Sequence, residues 1–251
     1  MTALLEAREL TKRFGGLTAV DRASLTVDEG TITALIGPNG AGKSTFFKLL
    51  AGEIEPTAGE VVFRGRHITG LGVARVCRLG IGKSHQITQI FPNLTVTENL
   101  VIPALAARRG SFRADVFASL RRVDGLADLV ARTLAEIGLT DRADVRAGAL
   151  AYGEKRRLEI GLALATQPQL LLLDEPAAGM SPAETAGTVA LIQRLRAGVT
   201  IVIVEHDMDV VFGLADRIMV MQNGATIAYG TPAEIRADAR VREAYLGGAD
   251  E

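Results

Sequence analysis

Residues 37–45 read Gly-Pro-Asn-Gly-Ala-Gly-Lys-Ser-Thr, a complete G-x-x-x-x-G-K-S pattern. An apolar run rich in β-branched residues precedes it at 30–36, and apolar residues at helical spacing follow it at 45–51. Glycines let successive backbone N–H groups face a phosphate, and the following helix adds its positive N-terminal end. A plain glycine-rich turn is the alternative, but the strand and helix on either side favour a nucleoside triphosphate site.

Two side chains of this loop have distinct predicted roles. Lys43 reaches the β- and γ-phosphates, and the Ser44 hydroxyl holds Mg²⁺. The predicted phosphate-binding residues are Gly37, Pro38, Asn39, Gly40, Ala41, Gly42, Lys43, Ser44 and Thr45.

The composition predicts a soluble cytosolic protein. With 251 residues the chain can bury one substantial core, and although 48% of the residues are hydrophobic, no apolar run approaches the roughly 18 residues of a spanning helix. The single cysteine, Cys77, fits a reducing compartment. A formal net charge of −1 provides no general attraction to nucleic acid, so no nucleic-acid partner is expected.

Strand and helix patterns alternate along the chain. The first part of the chain predicts two antiparallel strands at 4–10 and 23–27, a turn at 56–60, a short strand at 61–63 and a helical insertion at 99–166. The remainder predicts two buried strands at 170–174 and 200–205, a hairpin at 219–229 and a capped helix that begins at Thr231. Strands separated by helical stretches indicate an α/β protein with a mostly parallel sheet. We expect a single domain over 1–251, with a core at about 1–98 and 167–251, an N-terminal antiparallel β subdomain, and an α-helical subdomain at about 99–166.

Two further strands end in candidate catalytic groups. Asp174 ends a strand of four leucines, where a carboxylate holds Mg²⁺, and Glu175 follows as a group that orients or deprotonates water. A strand-end charge is the alternative for Glu175. His206 follows the strand at 199–204 and can reach the γ-phosphate, whereas His67 and His85 are interpreted as structural.

A second candidate anion site begins at residue 150. Gly153 stands before a periodic helical run, where free N–H groups and the helix dipole attract an anion. No nearby motif explains which anion it would bind, and a simple helix start is the alternative.

The motifs together resemble the ATP-binding subunit of ABC transporters. The resemblance spans about 5–246 and is carried by the phosphate loop, Leu-Ala-Tyr-Gly-Glu-Lys-Arg-Arg at 150–157, Leu-Leu-Leu-Asp-Glu-Pro at 171–176 and Val-Glu-His-Asp at 204–207. It implies a RecA-like P-loop NTPase core that binds ATP and Mg²⁺ and hydrolyses ATP. It also implies a head-to-tail dimer in which the short signature of one subunit faces the ATP of the other, which gives the anion site at Gly153 a purpose.

The resemblance assigns further residues. Gln86 would sense Mg²⁺ as a catalytic and metal residue in the loop that contacts membrane subunits, and spacing alone leaves Gln89 as its rival. Phe14 looks like the aromatic residue that stacks on adenine, although a bare phenylalanine is more often core. Residues 178–181 resemble the loop that couples the two sites, with Ser181 where many members carry Asp.

The signature departs from the commoner Leu-Ser-Gly-Gly-Gln. The residues expected to bind ATP in trans are Leu150, Ala151, Tyr152, Gly153 and Glu154. Ala151 cannot donate the serine hydrogen bond, and Tyr152 replaces a glycine. The loss of one neutral hydrogen bond weakens closure by about 1 kcal/mol, so an active ATPase is still expected.

Four segments look like the branched-chain amino-acid importer branch of this family. They are 150–153, 174–180, 91–99 and 241–247. The resemblance implies a second ATPase subunit, two membrane permease subunits and a periplasmic or extracellular solute-binding protein, with this chain peripheral on the inner face of the plasma membrane. Open alternatives are an importer of urea, amides or other small organic solutes, a lipid exporter, a non-transport ABC ATPase, and a monomeric signalling NTPase, against which Gly153 argues.

Overall fold

The computed structural model describes residues 2–84, 90–109 and 124–246. The strands are β1 (Ala3–Phe14), β2 (Leu17–Asp28), β3 (Ile32–Ile36), β4 (Ala58–Phe63), β5 (Arg66–His67), β6 (Ile81–Lys83), β7 (Leu170–Asp174), β8 (Thr200–Val204), β9 (Arg217–Gln222) and β10 (Ala225–Gly230). The helices are α1 (Lys43–Leu50), α2 (Val73–Arg78), α3 (Val96–Arg109), α4 (Leu126–Glu136), α5 (Tyr152–Leu164), α6 (Pro182–Leu195), α7 (Met208–Leu214), α8 (Pro232–Ala237) and α9 (Ala239–Leu246). None of the helices in these three ranges is long and apolar enough to cross a membrane.

The contacts within the chain form two compact units. One consists of Met1–Val76 with Arg196–Glu251, and the other consists of Cys77–Leu195. The expected α/β class with an antiparallel N-terminal sheet is confirmed.

The antiparallel sheet of the first unit has the strand order β2-β1-β4-β5. The two predicted N-terminal strands are present and longer than expected, with Phe14 paired to Leu17 at the hairpin. The turn predicted at 56–60 is wrong in its second half, because β4 already begins at Ala58, which pairs with Thr11 across a bulge. Pairing with β1 therefore outweighs the turn propensity of this segment.

Four further strands of the first unit lie side by side in the order β10-β9-β3-β8. All five residues of β3 are buried, as is typical of a strand covered on both faces. Leu35 pairs in parallel with Val204 of β8, and Ile36 pairs with Val220 of β9. Because β3 and β8 end level with each other, the segments that follow them leave from one edge of the sheet.

The second unit combines a parallel strand pair with helices. β6 pairs with β7, Lys83 lying opposite Leu172. α3, α4 and α5 contact one another, and α6 contacts α5. Three- and four-residue spacing on α4 buries Leu126, Leu129, Val130, Thr133 and Leu134, as the sequence predicted for this helix. Residues 110–123 of the helical insertion predicted at 99–166 lie outside the described residues.

Candidate functional site

The phosphate loop is held in its curled form by close backbone neighbours. A side chain at Gly37 would collide with the carbonyl of Met221, and one at Gly42 would collide with the carbonyl of Ala19. Both glycines have positive φ, 150° and 95°. The N–H of Gly224 donates to the carbonyl of Ala41 at 3.1 Å, so the loop lies against β2 and the β9–β10 hairpin. Glycine is required here by both space and backbone conformation.

Lys43 lies over its own loop. Its Nζ donates to the carbonyls of Gly37 at 2.6 Å and Pro38 at 2.9 Å. The first turn of α1 contains no acidic residue, while Ser44 and Asn39 are exposed. The loop thus combines a helix N-terminus, a cation and accessible polar groups, which together favour an anion.

Phe14 is not a core residue. Its ring is 50% exposed at the end of β1, and the Nζ of Lys12 lies 5.2 Å from the ring centroid. Phe14 pairs across the hairpin with Leu17, which is 67% exposed. Leu17 stands two positions before Ala19 on β2, and the carbonyl of Ala19 lies next to Gly42 of the phosphate loop. The exposed ring therefore stands near the phosphate loop along β2.

The segment after β8 is arranged around a helix cap. Glu205 is buried, and one of its carboxylate oxygens accepts the N–H of His206 at 3.2 Å. The Asp207 carboxylate accepts the N–H groups of Asp209 and Val210 and so caps α7. The side chain of His206 is exposed at the sheet edge from which the phosphate loop also leaves.

In the second unit, Asp174 ends β7 with its side chain almost buried, at 7% exposure. Its N–H donates to the Ser84 hydroxyl at 3.4 Å, and the N–H of Ser84 donates to the Leu172 carbonyl at 2.9 Å. Glu175 follows with φ at 47°, in the left-handed region that residues with side chains rarely adopt. Here it turns the chain sharply after the strand, as a positive φ also does at Arg64 and Asn223 in two hairpin turns.

The start of α5 has an incomplete cap. Ala151 is the N-cap residue, and its N–H donates to the Glu154 carboxylate at 2.9 Å. Arg142 donates to the other oxygen of that carboxylate at 3.0 Å. The Ala151 N–H is the main cause that lowers the pKa of Glu154, and Arg142 adds to it. Ala151 has no oxygen with which to return the bond, so half of a capping box is missing.

Gly153 is the second residue of α5, not the residue before the helix as the sequence suggested. Its N–H donates to Oε1 of Glu184 at 3.2 Å. Oε2 of Glu184 accepts the Ser181 hydroxyl at 2.7 Å and the Ser181 N–H at 3.0 Å. These Ser181 bonds, and then the Gly153 bond, lower the pKa of Glu184. Glu184 was not predicted as a site residue, although Ser181-Pro-Ala-Glu184 is a visible capping pattern.

Tyr152 joins the same region. Its hydroxyl donates to the Ala178 carbonyl at 3.0 Å and accepts from Nε of Arg156 at 3.2 Å. Arg156 is almost buried and forms an ion pair with Glu159 at 3.0 Å. The signature Leu150 is 5% exposed, whereas Ala151 and Tyr152 are exposed. The second unit therefore brings Tyr152 against the loop that follows Glu175, and Gly153 against Glu184 in the first turn of α6.

Gln86 lies outside the described residues, as do its rival Gln89 and His85. His67 is exposed and its Nδ1 lies 2.9 Å from the Glu60 carboxylate, an environment with no link to the loop. In the described parts of the chain, no group of three or more His, Cys, Asp or Glu side chains is arranged to hold a metal ion.

Comparison with known families gives two matches. The ABC transporter model matches residues 20–178, a stretch that includes the phosphate loop, the signature and Asp174. The model described as a branched-chain amino acid ATP-binding cassette transporter matches residues 225–251.

Individual relatives match along almost the whole chain. The chain is 44% identical to the high-affinity branched-chain amino acid transport ATP-binding protein LivG of Salmonella typhimurium, over 98% of both sequences. It is 42% identical to the corresponding protein BraF of Pseudomonas aeruginosa, again over 98% of both. The crystal structure of the ADP conformation of MJ1267, an ATP-binding cassette of an ABC transporter, superimposes with a TM-score of 0.85 at 32% identity, covering 98% of this chain and 100% of that one. The chain therefore belongs to the ABC transporter family, as a P-loop ATPase subunit in the branch of the branched-chain amino acid transport ATP-binding proteins.

Proposed function

We propose that this chain hydrolyses ATP to energise an importer of branched-chain or other hydrophobic amino acids. The observation that carries the proposal is the 44% identity to LivG over 98% of both chains. In this proposal the chain is cytoplasmic and is held at the inner face of the plasma membrane by two permease subunits. A second ABC ATPase subunit and an external solute-binding protein complete the assembly.

The phosphate loop is the proposed ATP site. Its curled backbone, with no room for side chains at Gly37 and Gly42, supports this role because a phosphate needs close approach to N–H groups. Lys43 now contacts carbonyls of its own loop and would exchange them for phosphate oxygens. The exposed Phe14 ring is the proposed adenine platform.

The proposed metal ligands are hard oxygen donors, the type that Mg²⁺ prefers. Ser44 supplies a hydroxyl at the start of α1, Asp174 supplies a carboxylate at the end of β7, and Gln86 is added from the resemblance. When bound, Mg²⁺ neutralises charge on the phosphate oxygens.

Glu175 is the proposed general base. Its carboxylate accepts a proton from the attacking water, and His206 donates a hydrogen bond to the γ-phosphate or helps to hold the water. Glu175 directly follows Asp174 at the end of β7, and its left-handed backbone turns the chain away from the strand at that point. The order of the motifs along the chain supports grouping Asp174, Glu175 and His206 with the phosphate loop.

The signature is proposed to act in trans. Gly153 and the N-terminal end of α5 would face the γ-phosphate held by the second ATPase subunit. The anion-binding character of this helix start supports the proposal, because it already holds a carboxylate at Gly153. The predicted division into a core and a helical subdomain at 99–166 belongs to the same proposal.

The deciding experiment replaces Glu175 with Gln. ATP binding should persist while turnover falls by about a hundredfold or more, the usual loss when a general base is removed. Glu136→Gln, an exposed carboxylate on α4, is the matched control and should retain the wild-type rate. Hydrolysis by Glu175→Gln at the wild-type rate would show that another group activates the water.

The solute is tested on the assembled importer. The complex is isolated through a tag on this chain, and its solute-binding subunit is titrated with leucine, isoleucine and valine, with urea and short amides as competitors. Binding of urea or amides in preference to the amino acids would reject the proposed substrate class.

A further inference from the structure

The feature that carries a further inference is the carboxylate of Glu184 at the signature. Its Oε1 accepts the N–H of Gly153 at 3.2 Å, although the two residues are 31 positions apart. A side chain at Gly153 would lie 2.7 Å from this oxygen, so the carboxylate fills the space directly over the first turn of α5. The signature start therefore already contains one negative group from its own chain.

The contact is not a by-product of capping α6. The same pattern recurs at α8, where Thr231-Pro-Ala-Glu234 forms the same box through the Thr231 hydroxyl and N–H. Glu234 has no long-range hydrogen bond of this type among the described contacts, and its cationic neighbour Arg217 is 3.9 Å away. Capping is thus satisfied by one carboxylate oxygen, and the second oxygen of Glu184 is available for Gly153.

Glu184 is joined to Glu175 by a short stretch of chain. Residues 175–184 run from the strained backbone of Glu175 to the first turn of α6, and Tyr152 holds the middle of this stretch through the Ala178 carbonyl. The carboxylate at Gly153 and the proposed general base therefore lie on one short segment, which the signature holds through both Gly153 and Tyr152.

We propose that Glu184 occupies the place of the partner's γ-phosphate at Gly153 and must withdraw before the two subunits close over ATP. This inference rests on the proposed function, since it assumes that the signature meets a phosphate in trans. A carboxylate and a phosphate cannot share one N–H, and their negative charges repel each other. Glu184 thereby raises the ATP concentration that is needed for closure. Its withdrawal from Gly153 also releases one of the two contacts that hold the segment leading back to Glu175.

The test uses full-length chain carrying Glu175→Gln, isolated with the subunits that copurify, so that closed sites retain ATP. Radiolabelled ATP retained after rapid gel filtration is measured against ATP concentration. Adding Glu184→Gln keeps the size and the capping ability of the side chain but removes its charge. Half-maximal retention should then occur at an ATP concentration about twofold to fivefold lower, the effect of one charge at a helix N-terminus.

Two companion variants separate gating from stability. Glu234→Gln removes the matching charge from the α8 box and should leave retention unchanged. Glu184→Asp keeps the charge but is one methylene shorter, which draws the carboxylate away from Gly153 and should also lower the required ATP concentration. A purely structural role would instead leave that concentration unchanged or raise it in both Glu184 variants.

The outcomes distinguish the two levels of the argument. If the Glu175→Gln parent retains no ATP, the proposed function fails and the inference fails with it. If the parent retains ATP but Glu184→Gln behaves like Glu234→Gln, the inference alone is overturned.

Discussion

The first turns of α1 and α5 are both suited to binding phosphate, but the side chains beside them carry opposite charges. At α1 there is no acidic residue, and the cation Lys43 folds onto the carbonyls of the phosphate loop. At α5 two carboxylates already bind the backbone, Glu154 at Ala151 and Glu184 at Gly153. A helix N-terminus attracts negative charge, and at α5 two carboxylates of the same chain already supply it.

This difference indicates how the two sites should behave. An anion arriving at α1 meets the cation Lys43, and a charge-assisted bond to it can replace the bonds of Lys43 to the Gly37 and Pro38 carbonyls. An anion arriving at α5 has to compete with a resident carboxylate. We therefore expect α1 to bind nucleotide in the single chain and α5 to bind phosphate only when a second subunit presents it.

The largest expected effect comes from removing the cation of α1. Lys43→Ala should reduce ATP affinity by about tenfold to a hundredfold, because hydrogen bonds to charged groups contribute about 1.5 to 3 kcal/mol. Titration calorimetry with the single chain measures this loss. Lys48→Ala, which removes an exposed cation from the last turn of the same helix, should bind ATP as the wild type does. Equal affinity in both variants would mean that the backbone of α1 holds the phosphates without help.

A smaller effect should follow from loosening the first turn of α5. Tyr152→Phe removes the bond to the Ala178 carbonyl and the acceptor of Arg156. We expect a loss of about 1 kcal/mol in the free energy of unfolding, and turnover lower by about fivefold because the signature no longer holds the Glu175 segment at Ala178.

Tyr229→Phe is the matched control for that variant. Tyr229 is also partly exposed, at 41% against 46% for Tyr152, and its hydroxyl donates to the Thr26 carbonyl at 2.7 Å. It should lose similar stability in urea unfolding but keep wild-type turnover. If both variants lost turnover equally, the effect would reflect stability and not the position of Tyr152.

The sequence predicted α1 more completely than α5, for a physical reason. At α1 the strand, glycines, lysine and helix are contiguous in sequence, so every group of the loop is visible in one local pattern. At α5 the local pattern indicated an anion site, but the group that occupies it comes from residue 184. The capping pattern of Glu184 is visible in the sequence, whereas its hydrogen bond with Gly153 depends on the packing of α5 against α6.

The same division explains the misjudged elements of the fold. β6 escaped prediction because three residues carry too little periodicity, and pairing with β7 defines the strand. The turn at 56–60 was overextended because Ala58 joins a strand only through its partner Thr11. In both places a distant strand, absent from the local sequence, decides the conformation.

The smallest expected effect concerns the oxygen that α5 lacks. Ala151→Ser would supply a side-chain acceptor for the Glu154 N–H and complete the capping box that Glu154 now half forms. We expect a gain of about 0.5 to 1 kcal/mol in the free energy of unfolding, with turnover unchanged or modestly higher. Ala149→Ser, also exposed but outside the cap, should change neither quantity. Because Ala151 is exposed, a hydroxyl has room there, and a large loss of turnover would instead show that Ala151 and Tyr152 form an apolar contact surface for the second subunit.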